Sequence, residues 1–170
     1  LMHKPVERRP ENPLEIGKLH NITFQDVVFR HKTAITNAID EISFNVQTGE
    51  TIAFVGPSGS GKSTLMKLLL GLYQPIKGDI RFNGCSASQI RYNELRRQIG
   101  FVSQDTQLFS GTIKENLLYV KSDASDAEIL DALHQASCDQ LLNNSSKGIN
   151  TLLGEGGLKL SGGEKQRISI

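Results

Sequence analysis

Gly56-Pro57-Ser58-Gly59-Ser60-Gly61-Lys62-Ser63-Thr64 is the stretch from which the rest of this 170-residue chain can be ordered. It fits G-x-x-x-x-G-K-[ST], a pattern whose chemistry is phosphate binding. The residues before it, Glu50-Thr51-Ile52-Ala53-Phe54-Val55, read as a short buried strand. Those after it, Leu65-Met66-Lys67-Leu68-Leu69-Leu70, read as a helix ending at Gly71. Strand, glycine-rich turn and helix is the context in which the pattern works.

Each residue type has a chemical reason. Glycines at 56, 59 and 61 let the backbone turn sharply and bring bare N–H groups against a polyphosphate. Pro57, Ser58 and Ser60 complete the loop, and Thr64 opens the helix. The helix N-terminus adds unpaired N–H groups and partial positive charge. Lys62 can reach β- and γ-phosphates, and the Ser63 hydroxyl can ligate Mg²⁺, a hard cation that prefers oxygen. On these residues the chain resembles the P-loop NTPases.

Composition sets the bounds. The length suits one domain with a core. A formal net charge of +1 provides no field for nucleic acid or anionic lipid. The longest apolar stretch, Leu65 to Tyr73, is interrupted by Lys67 and Gly71 and is too short to span a bilayer. No signal peptide is visible. Cys85 and Cys138 are isolated, without metal-ligand spacing, and read as free thiols of a reducing compartment. Residues 1–20 are polar, with Pro5, Pro10 and Pro13, and read as a linker from a preceding region. The start at Leu1 suggests a piece of a longer chain or a cloning scar.

Ile22 to Phe29 reads as a strand bulged near Asp26, and Ile42, Phe44 and Val46 alternate as a half-buried strand. Asp79 to Gly84 is a short strand ending in an Asn-Gly turn. Tyr92 to Gln98 reads as a short basic helix, and Ile99 to Ser103 as a core strand with Gln104 at its C-terminal end. Thr112-x-x-Glu115 and Ser125-x-x-Glu128 are capping boxes. The second opens a helix whose Ile129, Leu130, Leu133 and Ala136 are expected in the core, with His134 at the surface. In the last stretch, Leu160-Ser161-Gly162-Gly163-Glu164-Lys165-Gln166-Arg167, Ser161 can cap a helix beginning near Gly162. Its two glycines would leave N–H groups bare for a second anion.

Together the loop and this last stretch resemble the nucleotide-binding domain of an ATP-binding cassette (ABC) transporter, from about Ile22 onward. The resemblance implies an α/β P-loop core with an antiparallel β-subdomain and an α-helical subdomain at about 105–165. It places the partial cassette at 21–170. It makes Gly56 to Thr64 the Walker A loop, with ATP and Mg²⁺ as cofactors, and Lys62 and Gln104 as catalytic residues. Ser63 and Gln104 would contact the metal. Ser161, Gly162 and Gly163 match the signature residues that touch ATP held by a second nucleotide-binding domain in a head-to-tail dimer. The slot for the aromatic residue stacked on adenine holds His31, whose flat imidazole would stack less strongly than tyrosine.

Gln107 to Ile113 with Glu115-Asn116-Leu117 resembles exporters, as does Thr151 to Gly157, where Glu155 matches the residue that contacts the coupling helices of a transmembrane domain. Gly156 stands where arginine is common. Walker B, its glutamate, the D-loop and the switch histidine are expected beyond Ile170. A chain truly ending there is expected to bind ATP weakly and to hydrolyse none to speak of. The implied function is ATP hydrolysis powering export, at the cytoplasmic face of a membrane. A soluble ABC ATPase acting on nucleic acid or ribosomes is the alternative. The near-neutral charge and the Leu108-Phe109-Ser110-Gly111-Thr112 segment argue against it. A degenerate cassette kept for dimer contacts is disfavoured by Lys62, Ser63 and Gln104.

Overall fold

The computed structural model describes residues 10–154 and 157–170, so Glu155, Gly156 and the first part of the expected linker lie outside the described residues. The described residues divide into two compact units, one up to Ile99 and one from Gly100 onward.

The first unit is built on an antiparallel sheet in the order β2-β1-β3-β4. Its strands are β1 (Asn21–Phe29), β2 (Ile39–Gln47), β3 (Lys77–Phe82) and β4 (Cys85–Ser86). Phe24 lies opposite Phe44 on one side and Ile80 on the other. The expected bulge is present: the register slips on both sides of Asp26, whose φ is 45°. Gly78 of β3 lies beneath it, where a Cβ would stand 2.3 Å from the Gln25 and Asp26 carbonyl oxygens. The Asn83-Gly84 turn has positive φ at both residues, 51° and 81°, as a tight two-residue hairpin demands. The Asn83 side chain accepts from the N–H groups of His20 and Asn21 and donates to the carbonyls of Ile16 and Lys18. Ile16 is buried, and Leu14 bridges to Ile90. The expected linker is therefore tied down from Leu14 onward.

Helix α1 (Lys62–Leu69) lays Leu65 and Leu68 into the core formed with Phe24, Val27, Ile80 and Phe82. Its end is closed by the Gly71 N–H on Leu68 O and the Leu72 N–H on Lys67 O. The Arg96 guanidinium, from α2 (Tyr92–Arg96), donates to Leu70 O at 2.9 Å. Such burial contributes on the order of 1.5–3 kcal/mol per large apolar side chain.

Two expected strands are absent. Glu50 to Val55 and Ile99 to Ser103 are irregular, and Val55, Phe54, Ile52, Phe101 and Val102 are all exposed. Their near-continuous apolar character suits strands of a parallel sheet covered on both faces. A strand exists only where a neighbour completes its ladder, and among the described residues neither segment has one.

The second unit is mainly helical. It contains β5 (Gly111–Thr112), α3 (Ile113–Leu118), α4 (Asp126–Gln135), α5 (Asp139–Asn143), a 3-10 turn (Gly148–Asn150), β6 (Leu152–Leu153) and α6 (Gly162–Ile168). Strands β5 and β6 pair antiparallel. Ile113, Ile129, Leu133, Cys138, Leu141 and Ile168 share its core, and burial pushes the Cys138 thiol up. Leu130 departs from expectation: it is 46% exposed. One residue past Ile129 turns the side chain about 100° around the helix, off the buried stripe. Ala136 is half-buried, and His134 is exposed and bonded to Asp139.

Candidate nucleotide-binding site

Residues 56 to 60 are exposed, and α1 begins at once after Gly61. Gly61 is the helix's N-cap in a left-handed conformation, φ 91°, and no side chain caps the helix. A Cβ there would lie 2.3 Å from the Ala38 carbonyl oxygen and 2.8 Å from Ile39 Cδ1. Close approach to the start of β2 and positive φ together require glycine. The first turn of α1 carries no acidic residue, so its N–H groups and dipole are left for an external anion.

Lys62 points its ammonium back across the loop. Nζ donates to Gly56 O at 2.8 Å, to Pro57 O at 2.8 Å and to Ser60 Oγ at 3.2 Å. A cation held by neutral oxygens across this loop is the charge a polyphosphate would neutralise. Ser63 is exposed in the same first turn, and its hydroxyl makes no hydrogen bond among the described residues. Exposed hydroxyl oxygen is a donor type that Mg²⁺ accepts. The residues present therefore fit a magnesium-bound polyphosphate.

His31 is half-buried on the loop between β1 and β2. Its ring stands edge-on to Phe29, centroids 5.0 Å apart, and edge-on to Tyr73 at 5.4 Å. Phe29 and Tyr73 are stacked at 4.9 Å. Nothing in local periodicity links Tyr73 to His31, so sequence reasoning misses it.

In the second unit Gln104 is exposed, and its carbonyl accepts from the Gln166 side chain of α6 at 3.4 Å. The start of α6 is not bare in the way the two glycines suggest. The Glu164 carboxylate accepts both the N–H and the O–H of Ser161, at 2.7 Å each, and Ser161 Oγ accepts from the Glu164 N–H. The Ser161 hydrogen bonds hold the Glu164 carboxyl below its ordinary range. Gly162 and Gly163 are exposed beside it.

Asn116, which in the sequence stands out only as part of Glu115-Asn116-Leu117, is buried in α3. It accepts from the Phe109 N–H and donates to the carbonyls of Phe109 and Thr112. These bonds fix the Leu108–Thr112 segment, and Leu108, Phe109, Tyr119 and Val120 line an open apolar groove of about 500 Å³.

The model of the ABC transporter family matches residues 39–170. A probable multidrug resistance ABC transporter ATP-binding/permease protein of Bacillus subtilis is 42% identical over 161 residues, covering 95% of this chain and 28% of that protein. The mitochondrial iron-sulfur clusters transporter ATM1 of Debaryomyces hansenii is 43% identical over 152 residues, covering 88% of this chain and 21% of its own length. A solved bacterial Atm1-family ABC exporter with ATP bound has a TM-score of 0.87 at 38% identity, covering 99% of this chain and 29% of that one. The chain spans less than a third of the length of these relatives. The likeness shows a P-loop NTPase fold of the cassette type, present here as a partial domain. Reading the chain as a soluble ATPase on nucleic acid or ribosomes finds no support among these matches.

Proposed function

The chain belongs to the ABC transporter family, and on that premise we propose that it is the ATP-binding part of an exporter whose full-length protein hydrolyses ATP to move a substrate across a membrane. One observation carries the reading: the uncapped start of α1, with the Lys62 ammonium folded across Gly56 to Ser60.

Lys62 leaves its carbonyl partners for the β- and γ-phosphates, and the loop N–H groups from Gly56 to Thr64 cradle the same oxygens. Ser63 ligates Mg²⁺, which supplies positive charge against the developing charge of phosphoryl transfer. Gln104 contacts the metal and the attacking water. Ser161, Gly162 and Gly163 serve the nucleotide of a second nucleotide-binding domain, and there the Ser161 hydroxyl exchanges its Glu164 bond for a phosphate oxygen. His31 stacks on adenine. The apolar groove at Phe109 and Tyr119, together with Glu155, meets coupling helices of a transmembrane domain. Residues 1–20 join that domain to the cassette at 21–170, whose helical subdomain spans about 105–165. The cassette works at the cytoplasmic face of the membrane. No helix among the described residues is long and apolar enough to cross a membrane.

The test is calorimetric titration of the full-length protein with Mg–ATP, together with phosphate release in vesicles. Binding lost in Lys62→Ala, and hydrolysis lost with it, supports the reading. Unchanged binding in that variant would sink it.

A further inference from the structure

We propose that Tyr73 is a positioning residue for base recognition, holding the His31 ring in the orientation in which a purine base stacks on it. The inference rests on the ATP-binding reading above and adds a residue that acts on the base and not on the phosphates.

The loop that carries His31 is closed at both ends. The Ala38 N–H donates to Phe29 O at 2.8 Å, and the Ala34 N–H donates to His31 O at 3.0 Å. Its last residue lies against the phosphate loop, since the Ala38 carbonyl occupies the space a Gly61 side chain would need. A base attached to a polyphosphate at Gly56 to Thr64 therefore has this loop as a neighbour.

Tyr73 follows α1 and meets both aromatic rings of that neighbourhood. Its ring is nearly parallel to Phe29, with an interplanar angle of 9°, and nearly perpendicular to His31, at 86°. The Lys67 ammonium, from the helix that the phosphate loop opens, lies 5.6 Å from the Tyr73 centroid. Two perpendicular ring contacts restrict the imidazole before any ligand arrives. An imidazole offers a base less surface than a phenol does. Its contribution therefore depends more on being held in place, because ordering a free ring on binding costs affinity.

The experiment measures the affinities of the full-length protein for Mg–ATP and for inorganic tripolyphosphate, in the wild type and in Tyr73→Leu, Tyr73→Phe, His31→Ala and Lys62→Ala. The expected result is that Tyr73→Leu weakens ATP about threefold to tenfold and leaves tripolyphosphate unchanged. Tyr73→Phe should keep wild-type affinity for both, and Tyr73→Leu should add nothing in the His31→Ala background. Unchanged ATP affinity in Tyr73→Leu overturns the inference. So do equal losses for both ligands, which would mark a structural role, and an undiminished Tyr73→Leu effect in the His31→Ala background. Lys62→Ala reports on the underlying reading: wild-type affinities for both ligands there would remove ATP binding itself.

Discussion

The start of α1 and the starts of α3, α4 and α6 are built to opposite plans. Helices α3, α4 and α6 each open on a serine or threonine whose side chain accepts the N–H of a glutamate three residues on, and that glutamate accepts in return. Each carries its own anion. Helix α1 opens on a left-handed glycine, has no side-chain cap and has no acid in its first turn. The first plan satisfies a helix end with groups from the chain itself; the second leaves the end incomplete until something negative arrives. On the proposed reading, the difference separates a helix start serving stability from one serving a ligand.

The largest break in this contrast comes from Lys62→Ala. Loss of charge-assisted bonds worth about 1.5–3 kcal/mol each should lower Mg–ATP affinity about 100-fold or more, read by calorimetry. Next is Thr64→Glu, which puts a carboxylate where the other helices carry theirs. It should compete with phosphate and lower nucleotide affinity roughly tenfold, while the melting temperature holds or rises. Undiminished affinity in Thr64→Glu would mean that the open end of α1 is not where the anion sits.

A smaller effect sharpens the other side of the comparison. Ser125→Ala removes the α4 cap and should cost about 1 kcal/mol of stability in a denaturant titration, with nucleotide affinity untouched. The smallest signal is pH dependence. Hydrogen bonds from Lys121 first and from Ser125 lower the Glu128 carboxyl to about 2 from 4.5, and the Thr112 bonds lower Glu115. Because these folded-state values are depressed, their stabilisation is fully present above pH 4.5. It is lost as pH falls toward 2, where Glu128 itself protonates. A carboxyl NMR titration of Glu128 should give a midpoint near 2, and helicity should fall over the same range. A midpoint at the ordinary carboxylate value would show that this cap is not made in solution.

The contrast also explains what could be read from the sequence. Capping boxes at Thr112 and Ser125 were legible because partners three residues apart meet wherever a helix forms. The bulge at Asp26, the Asn83-Gly84 turn and the phosphate loop are equally local. Glu50 to Val55 and Ile99 to Ser103 look like strands by composition, but a ladder partner is a long-range fact that no window contains. Leu130 was misplaced because two adjacent apolar residues on a helix cannot both face a narrow core. At the candidate site, the placement of Lys62 and Ser63 in the first turn of α1 was legible from spacing alone. The Glu164 carboxylate on Ser161 is written in the same Ser-x-x-Glu spacing as the other boxes, although the two glycines between them suggest a bare helix start. Tyr73 beside His31 was invisible, because only the packing of β1 against the end of α1 brings them together.

The burial of one sulfur atom has a practical consequence. Cys138 is sealed in the helical core with its thiolate form disfavoured, whereas Cys85 is half-buried at the far strand of the sheet. Alkylating reagents attack thiolates that they can reach. A maleimide fluorophore should therefore mark Cys85 first in the native protein and report on the sheet without any engineered cysteine, with Cys138 becoming reactive only as the helical core opens.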